Sequence, residues 1–264
     1  MNNRIFCYSG TGNSFASAKQ IGKHFNITPE FITEELIESG SAAACEFCVI
    51  LCPSYAYGVP VLVKKFLKKF PLKADYLAIL ITCGTKTRGT AAEAVKLLKK
   101  NSQQVDFAAD IQSVENYVHL FGHPKPEIQV ERIAAQKIIT DDICRRLEAR
   151  EKVSVKLHRP FSAFVSGLFR SVKYTFVWRY RIKNTCNGCE ICRKVCPTGA
   201  IRMKERKRKG NVVSVPKFKA RKCDHCQACM QLCPKRAIKY FRIKPQSPRY
   251  LHHDVTLNEL IKRD

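Results

Sequence analysis

The chain has 264 residues, enough for two modest domains that each bury a core. Its 47 Lys+Arg against 22 Asp+Glu give a formal net charge of +25, a field that steers acidic partners toward it. Fourteen cysteines, with neither an apolar secretion signal nor the roughly 18 uninterrupted apolar residues of a membrane span, exclude a secreted disulfide scaffold and an integral membrane protein, and predict metal or redox chemistry in a reducing, cytoplasmic setting.

Residues 4–8 form a short apolar run that leads into Ser9, Gly10, Thr11, Gly12, Asn13 and Ser14. A helical pattern follows, with Phe15, Ala18, Ile21, Gly22 and Phe25 on one face. Strand, hydroxyl-rich glycine loop and helix make an anion cradle, in which helix N-terminal amides and the hydroxyls of Ser9, Thr11 and Ser14 donate to a phosphate. No Gly-Lys-Ser/Thr follows, and Phe15 stands where a dinucleotide loop has its third glycine, so neither common nucleotide motif fits.

Residues 46–51 read as a buried strand, followed by the loop Ser54, Tyr55, Ala56, Tyr57 and Gly58 and an amphipathic helix through Phe70. Residues 76–81 are the next strand, followed by Cys83, Gly84 and Thr85 and a helix over about 91–100. A further strand lies near 105–111, and a charged helix covers about 127–150. Strands alternating with helices predict a doubly wound parallel sheet with its ligand at the carboxyl ends of the strands. Cys45-x2-Cys48-x3-Cys52 has the look of a metal motif, but strand residues three apart point to opposite faces, so these read as core thiols. Cys7 and Cys144 read the same way, whereas Cys83 falls at a strand end beside the ligand.

The Ser9 to Ser14 loop and the two later loops resemble the flavodoxin family. That resemblance implies FMN, with its phosphate on Ser9, Gly10, Thr11, Gly12, Asn13 and Ser14. Tyr55 or Tyr57 would then pack on the isoalloxazine ring, and the backbone around Cys83, Gly84 and Thr85 would meet its polar edge. Residues 113–118 resemble a segment of flavodoxin–ferredoxin fusions that brings Asn116 and Tyr117 near the cofactor. The alternative for these aromatics is simple loop packing.

Residues 153–183 carry Phe161, Phe164, Val165, Leu168, Val172 and Phe176 at helical spacing, with seven Lys+Arg and no acid. A helix bridging two domains is favoured over one lying on a membrane surface, because both neighbours offer apolar faces.

The next segment holds the most specific motif. Cys186-x2-Cys189-x2-Cys192-x3-Cys196-Pro197 recurs as Cys223-x2-Cys226-x2-Cys229-x3-Cys233-Pro234, offset by 37 residues at every cysteine. Three closely spaced thiolates wrap three corners of a cubane, and the fourth crosses to the other cluster. That gives Cys186, Cys189, Cys192 and Cys233 for one [4Fe–4S] cluster, and Cys223, Cys226, Cys229 and Cys196 for the second. Each proline is expected to open a helix after its cysteine. Structural zinc is the competing reading, but zinc requires neither the third x2 spacing nor the paired Cys-Pro endings. His225 has no partner spacing and reads as solvated or supporting the loop, and residues 204–210 as a solvated turn.

Residues 184–241 resemble a bacterial two-cluster ferredoxin, with Glu190 and Gln227 where that family commonly has glycine. The whole order resembles the flavodoxin–ferredoxin fusions called EFR-type ferredoxins. It implies an α/β flavodoxin-like doubly wound sheet over 1–152, the 153–183 linker, a small α+β ferredoxin domain over 184–244 and a tail over 245–264. In the tail only Thr256-x-x-Glu259 stands out, as a capping box. The expected function is electron relay between two [4Fe–4S] clusters and FMN, with an FMN-dependent reductase of a quinone or other small acceptor as the alternative. Residues 1–150 hold 19 Lys+Arg against 15 Asp+Glu and residues 151–264 hold 28 against 7, nets of +4 and +21. The basic half predicts an acidic redox partner. Nucleic acid is not expected, because aromatics are not interleaved with the basic residues.

Overall fold

The computed structural model describes residues 3–40, 43–85, 87, 89–122, 124–153, 164, 165, 167, 168, 175, 177–208, 211–240, 243 and 247–261. Five strands, β1 (Arg4–Cys7), β2 (Glu30–Phe31), β3 (Ala43–Pro53), β4 (Leu72–Cys83) and β5 (Phe107–Gln112), form one sheet in the order β2-β1-β3-β4-β5. Every pair in it is parallel, and this is the flavodoxin-like doubly wound fold.

Both faces are covered, which is why β3 and β4 read as continuous apolar runs. Alternate residues feed two cores. Ile5, Cys7, Val49, Leu51 and Leu80 pack toward α1 (Asn13–Phe25) and α6 (Pro126–Glu148). Phe6, Tyr8, Cys48, Ile50 and Ile79 pack toward α3 (Val61–Lys69) and α4 (Thr90–Lys99). The short α2 (Glu34–Ser39), not foreseen from sequence, is capped by Thr33, whose hydroxyl accepts from Leu36 N at 3.1 Å. Proline at the first position of α6 starts that helix where no amide partner is needed.

Cys45 and Cys48 depart from the strand-face expectation. Both belong to the same apolar cluster, close enough for each thiol to shift the other's ionisation, and Cys45 Sγ donates to Lys73 O at 3.8 Å. Strand twist accumulated over three residues turns the first thiol toward the second. Both remain buried core groups, and burial pushes the Cys48 thiol up.

The C-terminal domain is small and closed by β6 (Arg181–Ile182) against β9 (Ile238–Lys239), antiparallel. Its core gathers Tyr180, Cys192, Ile201, Met230, Ile238 and Tyr240. Between the cysteine runs, β7 (Ile201–Arg208) and β8 (Asn211–Phe218) pair antiparallel through Arg208 opposite Asn211. Most of the basic insert is therefore ribbon rather than loose turn, because ladder pairing continues wherever two strands already run side by side. No helix follows Cys196 or Cys233; turns do, reaching Gly199 at φ 57° and Arg236 at φ 45°. The helices instead lie earlier, at α7 (Ile191–Lys194) and α8 (Ala228–Gln231), and carry the third cysteine of each run. Within the 153–183 linker, residues 154–163, 166, 169–174 and 176 are outside the described residues, so most of the expected helix is too. Phe164 and Leu168 are exposed rather than packed between domains, while Val177 and Tyr180 join the C-terminal core.

Leu80 is fully buried at the centre of the sheet. Leu80→Ala should cost about 2–5 kcal/mol in denaturant unfolding, whereas Ile138→Ala on the exposed face of α6 should move the midpoint little. Equal effects at the two positions would contradict this layering.

Candidate cofactor cavity and cysteine centres

A cavity of about 290 Å³ opens at the carboxyl ends of β1, β3, β4 and β5, where a doubly wound sheet reverses its winding. The Ser9–Ser14 loop contributes Ser9, Gly10, Thr11, Asn13 and Ser14 to its wall. Ser9 Oγ accepts from Gly12 N at 3.2 Å, and Thr11 Oγ1 accepts from Asn116 Nδ2. Each hydroxyl thereby keeps its own hydrogen to donate. Ser14 Oγ lies 2.7 Å from Thr82 Oγ1, so that hydroxyl is shared with β4. Among the described residues, no lysine or arginine lines the wall. The amides, hydroxyls and N-terminus of α1 gathered there suit an anion.

The loop after β3 supplies Ser54, Tyr55, Ala56 and Tyr57. Ala56 and Tyr57 have φ of 49° and 61°, and Tyr55 and Gly58 exchange both backbone hydrogen bonds at 2.9 and 3.0 Å. Two successive left-handed residues make a tight turn of the hairpin kind, strained for non-glycine residues and able to hold both tyrosines at the cavity. Cys83, Gly84 and Thr85 line the wall after β4, and Asn116 and Tyr117 after β5. Arg132 of α6 donates from Nη1 to Gly84 O at 3.0 Å and braces that loop. Of the expected residues, Gly12 and Gly58 stand behind the wall. Gly12 takes φ 103° at the start of α1, and Gly58 closes the tyrosine turn.

Several wall residues were not foreseen. Glu115 lies against Gly84, accepts from Tyr117 N at 2.8 Å, and burial holds its carboxyl above the usual range. The only advance signal was its position inside the 113–118 segment. Burial, then Asp110 and Glu115, push the Cys83 thiol up to about 12, so it stays un-ionised near neutral pH. Leu120, Phe121 and Val165 form an apolar rim. Asp224 and His225 also line the cavity, although they belong to the second cysteine run. His225 is therefore buried, not solvated, because its loop is pressed against the sheet edge.

The tail was unreadable in sequence beyond its capping box, which forms with Thr256 N to Glu259 Oε2 at 2.7 Å and Glu259 N to Thr256 Oγ1 at 3.3 Å. It straps the Ser9–Ser14 loop. His252 N donates to Thr11 O at 3.0 Å, Tyr250 Oη donates to Asn13 Oδ1 at 2.7 Å, and Lys19 pairs with Glu259 at 2.6 Å.

The fold brings cysteines of the two runs together. Cys186, Cys189, Cys192 and Cys233 line one small cavity. Burial pushes Cys192 up to about 12, helped by Cys233, Cys186 and Cys189, and the buried Cys229 is raised by burial with Cys226, Cys223 and Cys196 as neighbours. Crowded, desolvated thiols become thiolates only where cationic iron replaces their protons. The loops carry matching donors: Ala200 N to Cys196 Sγ at 3.2 Å and Ala237 N to Cys233 Sγ at 3.3 Å, 37 residues apart in sequence. Glu190 and Gln227 take φ of 59° and 62°, which explains the glycine common at that position. The buried amide of Gln227 has no hydrogen-bond partner among the described residues. Among the described residues, no group of three or more His, Cys, Asp or Glu is arranged to hold a single metal ion. No helix among them is long and apolar enough to cross a membrane.

Residues 185–237 match the 4Fe-4S dicluster domain family, and this part of the chain is an iron–sulfur electron-transfer domain. No curated protein matches the chain. Among solved structures, a flavone reductase is similar, with 13% identity, 86% of this chain and 85% of that chain covered, and a TM-score of 0.36.

Two buried imidazoles give a pH test. Burial lowers His119 to about 3 and His252 to about 4, both below the ordinary 6.5. Between these values the unfolded chain binds more protons, so stability should fall as pH drops below about 6.5. Replacing the pair as His119→Phe and His252→Asn should flatten that slope in unfolding measurements between pH 7 and 5.5; an unchanged slope would contradict burial as the cause.

Proposed function

We propose that this chain is an electron-transfer iron–sulfur flavoprotein in which two [4Fe–4S] clusters and one FMN relay electrons to and from a redox partner. The observation that carries this reading is the seating of the second cysteine loop in the wall of the sheet-edge cavity, through Asp224 and His225. When bound, the clusters supply one-electron exchange and the flavin converts it to two-electron chemistry.

The chain's own residues do the positioning. Cys186, Cys189, Cys192 and Cys233 would hold one cluster, and Cys223, Cys226, Cys229 and Cys196 the other. Ser9, Thr11, Asn13 and Ser14 would hold the FMN phosphate, with the tyrosine turn and the Cys83–Thr85 loop flanking the ring. Asn116 steadies Thr11, Arg132 steadies Gly84, and the tail keeps the first loop closed. The domain limits 1–152, 153–183, 184–244 and 245–264 belong to the same proposal, as does a cytoplasmic setting, with all fourteen cysteines free.

A second reading is favoured by Glu115: a carboxyl that burial makes hold its proton more tightly, in the cavity wall beside Gly84, is placed to give a proton to a reduced organic acceptor. That would make the chain an FMN-dependent reductase of a quinone or similar small molecule, fed through the clusters.

Anaerobically purified protein should hold about eight irons, about eight sulfides and about one FMN per chain. Zinc in place of iron, or the absence of flavin, would overturn the reading. Cys233→Ala should lower iron content, whereas Cys45→Ala and Cys48→Ala should leave it unchanged, since that pair sits inside the apolar core of the sheet. The +21 half, with Arg202, Lys204, Arg206 and Lys207 exposed along β7, is proposed to dock an acidic redox protein. Exchange with an acidic ferredoxin should slow steeply above about 0.15 M salt, where the screening length is about 8 Å. A flat salt profile in stopped-flow mixing would remove the docking role.

A further inference from the structure

The two cysteine runs are equal in sequence spacing but not in surroundings. Asn187 and Gly188 of the first run correspond, at the 37-residue offset, to Asp224 and His225 of the second. Both second positions have left-handed backbone, with φ of 78° at Gly188 and 57° at His225. Glycine takes that conformation without strain, whereas histidine does not. The second run keeps a strained residue there, and its side chain forms part of the cavity wall.

Asp224 is 6% exposed, and its carboxylate accepts from Tyr8 Oη at 3.1 Å and from Val61 N at 3.0 and 3.2 Å. Tyr8 follows β1 directly and Val61 begins α3, so one side chain ties the cysteine loop to two parts of the sheet domain. A carboxylate at a helix N-terminus is also held by the helix dipole. Gly10 marks the closest approach: a Cβ there would lie 2.9 Å from Cys226 Cβ, 3.1 Å from Cys226 O and 3.2 Å from Tyr55 Oη. Around it, Ala228 and Leu232 enter the apolar core that holds Ile5 and Leu51. The first run also reaches that core, through Val195 and Ile191, but among the described residues it has no counterpart of the Asp224 clamp or of the Gly10 contact. Cys189 is exposed, and the small cavity of its run is walled by Met203 and Pro216 of the β7–β8 ribbon.

We propose that the two cysteine centres have fixed, different jobs: the Cys223, Cys226, Cys229 and Cys196 set is the inner port facing the sheet-edge cavity, and the Cys186, Cys189, Cys192 and Cys233 set is the outer port facing a partner. Asp224 is the positioning residue that sets this difference, and Gly10 is the point that only glycine leaves open. The inference rests on the cofactor reading proposed above.

The test uses the full chain, anaerobically loaded, with iron and flavin assayed before any spectroscopy. Absence of flavin from the wild type would overturn the cofactor reading itself. With both cofactors present, the readout is the iron-dependent part of the quenching of bound-FMN fluorescence, taken as the difference between iron-loaded and iron-stripped protein, because the cavity tyrosines quench in both. Cys226→Ala should release that quenching and Cys189→Ala should not. Asp224→Ala should keep all eight cysteine ligands and full iron yet also lose quenching, which covers the case in which Cys226→Ala fails to fold. As a second readout, stripping and restoring FMN should alter the electron paramagnetic resonance signal of one reduced cluster only, the one that survives in Cys189→Ala. Equal effects of Cys189→Ala and Cys226→Ala, wild-type quenching in Asp224→Ala, or a flavin-sensitive signal from the Cys186 set would overturn the assignment while leaving the cofactor reading standing.

Discussion

The buried carboxylate of Asp224, held between Tyr8 at the exit of β1 and the first amide of α3, is the constraint on which the rest of the molecule turns. Burying an acid costs free energy unless its oxygens are fully bonded, and here both are satisfied by groups of the other domain. Burial also keeps Tyr8 protonated, so it remains a donor. Once this clamp is closed, the Cys223–Cys229 loop has one place to lie, against Gly10 and across the mouth of the sheet-edge cavity. Small interdomain interfaces usually permit motion. A buried, charge-assisted bond beside a shared apolar core opposes it.

Two further devices act in the same place. His119, on the short α5 (Val118–Phe121), stacks on Tyr240 at 3.6 Å and 11°, and joins the cavity side to the C-terminal core. The tail then returns across the first loop, where His252 and Tyr250 bind Thr11 and Asn13. The cavity is thus walled by the sheet loops and the second cysteine run, and the strap braces the first of those loops from outside. The dipole of α1 and the loop hydroxyls favour an anion there. Positive charge is concentrated instead on the β7–β8 ribbon, away from the cavity and beside the more exposed cysteine run.

What could be read from the residues follows from the range of the forces involved. The sheet was legible because β3 and β4 are long apolar runs between amphipathic helices, a local pattern that both covered faces demand. The cysteine runs were legible because cluster geometry dictates ligand spacing. The cavity loops were legible from their glycines, hydroxyls and aromatics at strand ends. Contacts between distant parts of the chain were not. Asp224 and His225 reach the cavity only because two domains dock, and Tyr250 and His252 reach the Ser9–Ser14 loop only because the tail folds back. The helix expected after each Cys-Pro failed because the chain turns directly into β7 and β9 there, while the tight cysteine loop itself winds into α7 and α8. The Cys45 and Cys48 thiols met because a twisted strand does not keep strict alternation over three residues.

The most direct test is a reductive titration that counts electrons. A chain carrying two one-electron clusters and one two-electron flavin should take up about four electrons, with iron–sulfur and flavin absorbance bleaching in the same sample. Uptake of about two electrons with no flavin bleaching would contradict a relay built on the sheet-edge cavity and leave only the iron–sulfur domain to explain.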